Sequence, residues 1–164
     1  MIIYQNDKAG FFNDVRNNII ADRIALEFKR KNIPWNNDNE YRAWSNSLNF
    51  MRNVLDDDDI PNNSHIAIEY QVPMTSKRVD FLISGADDKN NLNIVVIELK
   101  QWEDSKQSES YDVVETYTGG AIRVVAHPSY QAYSYDKTIK NFNEAAQKDD
   151  IDLLPCAYLH NYKE

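Results

Sequence analysis

The sequence predicts an α/β (α+β) layered domain, a mixed sheet covered by helices. Three observations lead there. Apolar residues recur at helical spacing up to Leu55; two-residue alternation replaces that period after Pro61; and a proline-led helix followed by one more apolar segment closes the chain.

Gly10 to Lys31 reads as one long helix, with Phe12, Val15, Ile19 and Leu26 at helical spacing and Pro34 as its stop. Asp38 to Leu55 reads as a second helix, because Tyr41, Trp44, Leu48, Met51 and Leu55 recur at steps of three and four. The run Asp56 to Asp59 reads as its solvated exit. Ile66, Ile68 and Tyr70 alternate as in a strand, and so do Val79, Phe81 and Ile83. Gly85 to Asn93 is polar and turn-forming. Leu92 to Lys100 is the most apolar strand; Glu103 to Glu115 reads as a loop, and Ala121 to Ala126 as a short strand after the Gly119-Gly120 turn. Pro128 suits the first turn of a helix running to about Gln147, and Asp152 to His160 reads as a last strand. One domain is expected over 1–164, with N-terminal helices in 1–60 and the sheet-bearing core in 64–160.

Composition excludes several classes. With 42% apolar and 27% charged residues the chain has the make-up of a soluble globular protein. No apolar run approaches the roughly 20 residues of a membrane span, and MIIYQNDK lacks the layout of a signal peptide. Cys156 stands alone, so no internal disulfide forms, which fits a cytoplasmic location. His65, His127 and His160 have no zinc-ligand spacing. A net charge of -8 excludes a large basic surface, so tight non-specific nucleic-acid binding by this domain alone is not expected, although a small cationic groove is compatible with that charge.

Glu98 and Lys100 end the hydrophobic strand and share one face, opposite Ile97 and Leu99. Folding the two flanking strands about Lys89 puts Asp80, nine residues before it, opposite Glu98, nine after it. Two carboxylates side by side repel, and a divalent cation between them turns that repulsion into a binding site suited to Mg²⁺. A second arrangement fits the same register: Arg78, Asp80, Glu98 and Lys100 as a neutral quartet of diagonal ion pairs. Glu27-Phe28-Lys29 repeats the Glu-x-Lys spacing on a helix, so the context at 98–100, a buried strand with an upstream aspartate, gives this copy its weight.

Arg78-Val79-Asp80, a short loop, and a hydrophobic strand ending Glu98-Leu99-Lys100 resemble the core of the PD-(D/E)xK nuclease superfamily. Gln131-Ala132-Tyr133-Ser134-Tyr135 has the QxxxY form that follows the Glu-x-Lys strand in RecB-like nucleases, its two polar residues one helical turn apart. The phrases EYQVPMTSKRVDFLISG, VVIELKQW, HPSYQAYSY and PCAYLHNYK look like the N-terminal domain of bacterial proteins in which a nuclease-like module precedes a P-loop ATPase or helicase region. No GxxxxGK[ST] occurs here, so the chain is expected to be a fragment of, or a counterpart to, such a protein. The Gly-His-x-x-Glu motif of RecB-like nucleases is absent, with Glu40 or Glu69 as stand-ins for its glutamate, and Val79 takes the place of the naming proline.

The resemblance implies a restriction-endonuclease-like α-β-β-β-α-β core preceded by an extra N-terminal helix, and a Mg²⁺- or Mn²⁺-dependent nuclease acting on DNA, with RNA as an alternative. It implies coupling to a helicase in repair or anti-phage defence. Asp80, Glu98 and the Leu99 carbonyl would hold the metal; Lys100 would stabilise developing charge or position water; Gln131 and Tyr135 would face the site from the helix. Lys77, Arg78 and Arg123 would contact phosphates, as would Lys137 and Lys140, though each also reads as an ordinary surface cation. Trp102, just past the active strand, would stack on bases, whereas Trp44 fits the apolar face of its helix. Tyr135 also reads as a helix residue packed on the sheet. The competing class is a catalytically inactive nuclease-fold module that binds nucleic acid or a partner protein.

Overall fold

The computed structural model describes residues 1–143, 148 and 151–163. In chain order the elements are β1 (Ile2–Asp7), α1 (Lys8–Arg16), α2 (Ile20–Arg30), α3 (Asn37–Leu55), β2 (His65–Gln71), β3 (Arg78–Ala86), β4 (Leu92–Lys100), β5 (Lys106–Gln107), β6 (Val113–Thr118), β7 (Ala121–Ala126), α4 (Pro128–Phe142) and β8 (Asp152–Leu159). The class is mixed α/β. A five-stranded sheet runs β1-β2-β3-β4-β8, and a separate three-stranded sheet runs β5-β6-β7. Strands β1 to β4 form an antiparallel meander, and β8 adds parallel to β4 after the crossover through α4.

The main sheet is covered on both faces. Phe11, Ile24, Phe28, Leu48 and Met51 of α1 to α3 pack on Ile66, Ile68, Phe81 and Ile97. Tyr135 and Ile139 of α4 pack on Val79, Leu82, Val96 and Leu153 from the other side. That two-sided burial explains why β4 is apolar at nearly every position up to Ile97. No helix among the described residues is long and apolar enough to cross a membrane.

The expected hairpin register holds. Phe81 pairs with Ile97 and Ala86 with Leu92, the register that sets position 80 against position 98. Asp87 closes the turn by accepting the Lys89 and Asn91 backbone N–H groups through its side chain, and Asn90 takes the left-handed conformation at φ 61°.

Other expectations are corrected. The long helix over 10–31 is two helices: Asn18 turns left-handed at φ 54°, and Asn17 caps α1 through backbone bonds to Asn13 and Val15. Asparagine bears that conformation with little strain, so the break sits at the Asn17-Asn18 pair. The first 60 residues are not helices alone, because Ile2–Asp7 pair with β2 as the edge strand. The span 103–115 is not all loop: Lys106–Gln107 pairs with β6, which starts at Val113. α4 ends at Phe142, and the last part of its expected span, 144 to Gln147, lies outside the described residues.

Candidate functional site

Strict alternation along β2 and β3 fails at one step, and the candidate site forms there. Ile68 pairs with Phe81 and Tyr70 with Val79, but between them Glu69 and Asp80 make no ladder pair. Glu69 is left-handed at φ 55°, a costly conformation for a residue with a side chain. Val79 and Phe81, two apart, pack into opposite core clusters. The slip releases three side chains from regular placement: Glu69, Arg78 and Asp80.

Arg78 therefore lies on the α2–α3 side and not on the face of Glu98 and Lys100. Its Nε donates to Glu69 Oε2 at 2.6 Å and its Nη2 to Glu40 Oε1 at 2.8 Å, with the guanidinium 4.9 Å from the Phe28 ring centre. Trp44 Nε1 donates to the other Glu69 oxygen at 2.7 Å. The diagonal ion-pair quartet is not formed, and Arg78 is committed inside the protein.

On the α4 side, Lys100 Nζ donates to Glu98 Oε1 at 2.5 Å and to Gln131 Oε1 at 3.3 Å. Gln131 Nε2 donates to Glu98 Oε1 at 2.7 Å and to Tyr135 Oη at 2.6 Å. The structure thus joins Glu98, Lys100, Gln131 and Tyr135 in one chain of hydrogen bonds. His127 caps α4 by accepting the Ser129 N–H, and the helical turn from 131 to 135 supplies the spacing.

Asp80 sits between the two networks. The β3–β4 ladder ends at Phe81 and Ile97, and Leu99 N–H donates to Asp80 Oδ2 at 2.8 Å. A side chain has replaced the next backbone acceptor. The N–H and C=O of a strand residue point the same way, so the Leu99 carbonyl faces this opening too.

The electrostatics are those of crowded acids. Burial lifts Asp80 to about 7, with the Glu98 charge adding and the Leu99 N–H, Lys100 and Arg78 opposing. Burial lifts Glu69 to about 7 as well, against the Trp44 hydrogen bond and with Asp80 adding. Glu98 is raised by burial, partly countered by Lys100. Tyr135 is pushed up to about 12, again chiefly by burial, so it stays a neutral phenol. Glu98 is 2% exposed, yet its Oε2 has no hydrogen-bond partner; Glu40 Oε2 is likewise buried and unpartnered. Among the described residues, three of the four carboxylates hydrogen-bond with two cations, Glu40 and Glu69 with Arg78 and Glu98 with Lys100, while Asp80 is held by the Leu99 N–H alone. Fully ionised, the group carries two uncompensated negative charges. Among the described residues no group of three or more His, Cys, Asp or Glu side chains is arranged to hold a metal ion.

A cleft of about 650 Å³ opens over Glu69, Asp80 and Lys100, bordered by Trp102 and by the β6–β7 turn at Tyr117 and Gly119. Lys100 Nζ lies 5.5 Å from the Trp102 ring centre. Lys77 is exposed beside Arg78, and Arg123 is exposed on β7. Glu40 and Ser47 reach the cleft from α3.

Two contributors escape sequence reasoning. The β6–β7 turn borders the cleft although it belongs to the smaller sheet, and only its Gly-Gly pair gave a signal. The turn after β8 braces the end of β4: His160 N–H donates to the Lys100 carbonyl at 3.2 Å, Ser47 Oγ contacts His160 Nε2 at 2.9 Å, and Gln101 Nε2 donates to Ser47 Oγ at 3.1 Å. No local pattern announces that brace.

No protein-family model matches the chain, and neither a curated protein nor a solved structure does.

Proposed function

We propose that the chain is a Mg²⁺-dependent nuclease domain of the PD-(D/E)xK type that hydrolyses phosphodiester bonds in DNA. The observation that carries this reading is the meeting of Asp80, Glu98, Lys100 and Gln131 where the β3–β4 ladder gives out, with one buried Glu98 oxygen left without a partner. With the separate β5–β7 sheet taken as an insertion between β4 and α4, the order α3-β2-β3-β4-α4-β8, with β8 parallel to β4, agrees with the α-β-β-β-α-β order expected of that superfamily and supports the reading.

The donor set fits a hard divalent cation: carboxylates, a strand carbonyl, and an excess of two negative charges that the protein otherwise relieves by raising proton affinity. Asp80, Glu98 and the Leu99 carbonyl would hold it. When bound, such an ion lowers the pKa of its water and neutralises the scissile phosphate. The chain's own groups do the positioning. Leu99 N–H orients Asp80. Gln131 ties Glu98 to Tyr135 and so fixes the carboxylate rotamer. Lys100, braced by Glu98 and Gln131, aims its ammonium where charge develops on the phosphoryl oxygens. The partner the resemblance implies is a P-loop ATPase or helicase region, working in DNA repair or anti-phage defence.

A second reading is a catalytically inactive module that binds nucleic acid or a partner protein. The absence of a three-ligand cluster among the described residues and the net charge of -8 favour it.

Incubation of the protein with single-stranded, duplex and circular DNA and with RNA, in Mg²⁺ or Mn²⁺, separates the two. Metal-dependent cleavage that Asp80→Ala and Lys100→Ala both lose while remaining folded is expected. Cleavage equal in all three proteins marks a contaminant, and none on any substrate supports the binding module.

A further inference from the structure

The cleft reveals more than the position of the acids. Its volume, about 650 Å³, falls within the range of roughly 300–1,000 Å³ typical of small-ligand pockets. Of the three aromatic residues lining the cleft, Trp44 is buried and Trp102 and Tyr117 are accessible. Trp102 is half-buried beside Lys100, and Tyr117, on the β6–β7 hairpin, is 64% exposed. The hairpin closes through Gly119 and Gly120, both left-handed at φ 60° and 84°. Arg123 folds back over that turn: its guanidinium carbon lies 3.7 Å from where a Cβ on Gly119 would sit. Two π-faces thus border the cleft above its carboxylates, and the Arg123 cation lies beside the Gly119 turn that edges it.

Charge decides between substrate forms. Sequence-independent duplex binding draws its affinity from many phosphate contacts, which a chain of net charge -8 does not supply. Both cations among the acids are already engaged, Arg78 with Glu69 and Glu40 and Lys100 with Glu98. A single strand carries half the phosphate charge per unit length of a duplex and exposes its bases for stacking on aromatic rings.

Resting on the nuclease reading above, we infer that the substrate is a single-stranded polynucleotide. It enters beneath the β6–β7 hairpin with bases stacked on Trp102 and Tyr117 and one phosphate on Arg123. DNA and RNA strands share that chemistry.

The test is fluorescence anisotropy of labelled oligo-dT, oligo-U and a hairpin duplex against the whole chain. It is run in EDTA, so that metal-dependent cleavage plays no part. Either single strand is expected to bind at least about tenfold tighter than the duplex, and the stronger of the two names the sugar. Trp102→Ala and Tyr117→Ala are each expected to weaken single-strand binding about tenfold, whereas Trp102→Phe and Tyr117→Phe stay within about twofold of wild type, which separates stacking from misfolding. Arg123→Ala should lower the slope of log affinity on log salt by about 0.7. Equal or tighter duplex binding, no binding of either strand, or alanine variants that bind like wild type would overturn the inference. Cleavage in Mg²⁺ is scored separately. Strand selection without cleavage removes the nuclease reading and leaves the cleft as a single-strand binding site; cleavage with duplex preference keeps the nuclease reading and removes the single-strand one.

Discussion

The two charged networks on either side of Asp80 are built from different cations. On the α3 side an arginine grips Glu69 and Glu40 and lies over Phe28. On the α4 side a lysine, near the Trp102 ring, grips Glu98 and an amide. A guanidinium in a planar fork, held by two acids and a ring, is a fixed structural part. An ammonium on a flexible stem, facing a cleft and bonded to a carboxylate with a spare oxygen, is free to trade partners. On the nuclease reading proposed above, the difference separates a clamp from a working group, although their sequence contexts, Lys77-Arg78 and Leu99-Lys100, look equally suited to touching phosphate.

Swapping the roles would break the comparison. Lys100→Ala should reduce metal-dependent cleavage by about 10²–10³-fold while the protein melts within a few degrees of wild type. Arg78→Ala should do the reverse and cost stability first, about 3 kcal/mol, because it strands two carboxylates. In a chain of this length that is a fall of roughly 10 °C in Tm, readable by circular dichroism. A Lys100→Ala protein that unfolds and an Arg78→Ala protein that only loses cleavage would invert the assignment.

Finer tests sharpen it. Gln131→Leu removes the amide between Glu98 and Tyr135 and should lower cleavage about tenfold with the fold intact; an unchanged rate would make Gln131 a packing residue. The pH dependence of stability probes the acids themselves. Asp80 and Glu69, raised to about 7, bind protons more tightly folded than unfolded. Their contribution is therefore fully present below the ordinary carboxylate range near 4 and is lost as pH rises to about 7. Melting temperature in EDTA should fall across that window relative to Asp80→Asn and level off above it. Mg²⁺ should raise wild type at pH 8 and leave Asp80→Asn nearly unchanged; a Tm gap independent of both pH and Mg²⁺ would remove the crowded-acid account.

Much of the architecture was legible in the sequence because its signals were local. The β3–β4 register follows from a polar loop centred on Lys89 between two apolar runs, and the Gln131–Tyr135 spacing follows from a helical turn. What escaped depends on long-range placement. Nothing in Glu-Tyr-Gln announces that Glu69 turns left-handed, or that Arg78 across the ladder turns to bind it. Ile2 to Tyr4 carries a β-branched and aromatic signal, but six residues at a terminus become a strand only because β2 offers an edge. The β5–β7 sheet was obscured by the polar residues of 103–115, whose pairing is set by the partner strand and not by their own composition.

The brace behind β4 has a consequence for how order spreads through the molecule. His160 and Asn161 hold the carbonyls of Lys100 and Gln101, and Ser47 ties them to the middle of α3. Residues far apart in the chain thus share one fate. If the segment around His160 peels away, the strand tip frays and the ammonium loses its aim before the sheet itself melts. Hydrogen exchange at the amide of His160 should therefore keep pace with loss of catalytic competence, and run ahead of exchange in the central strands.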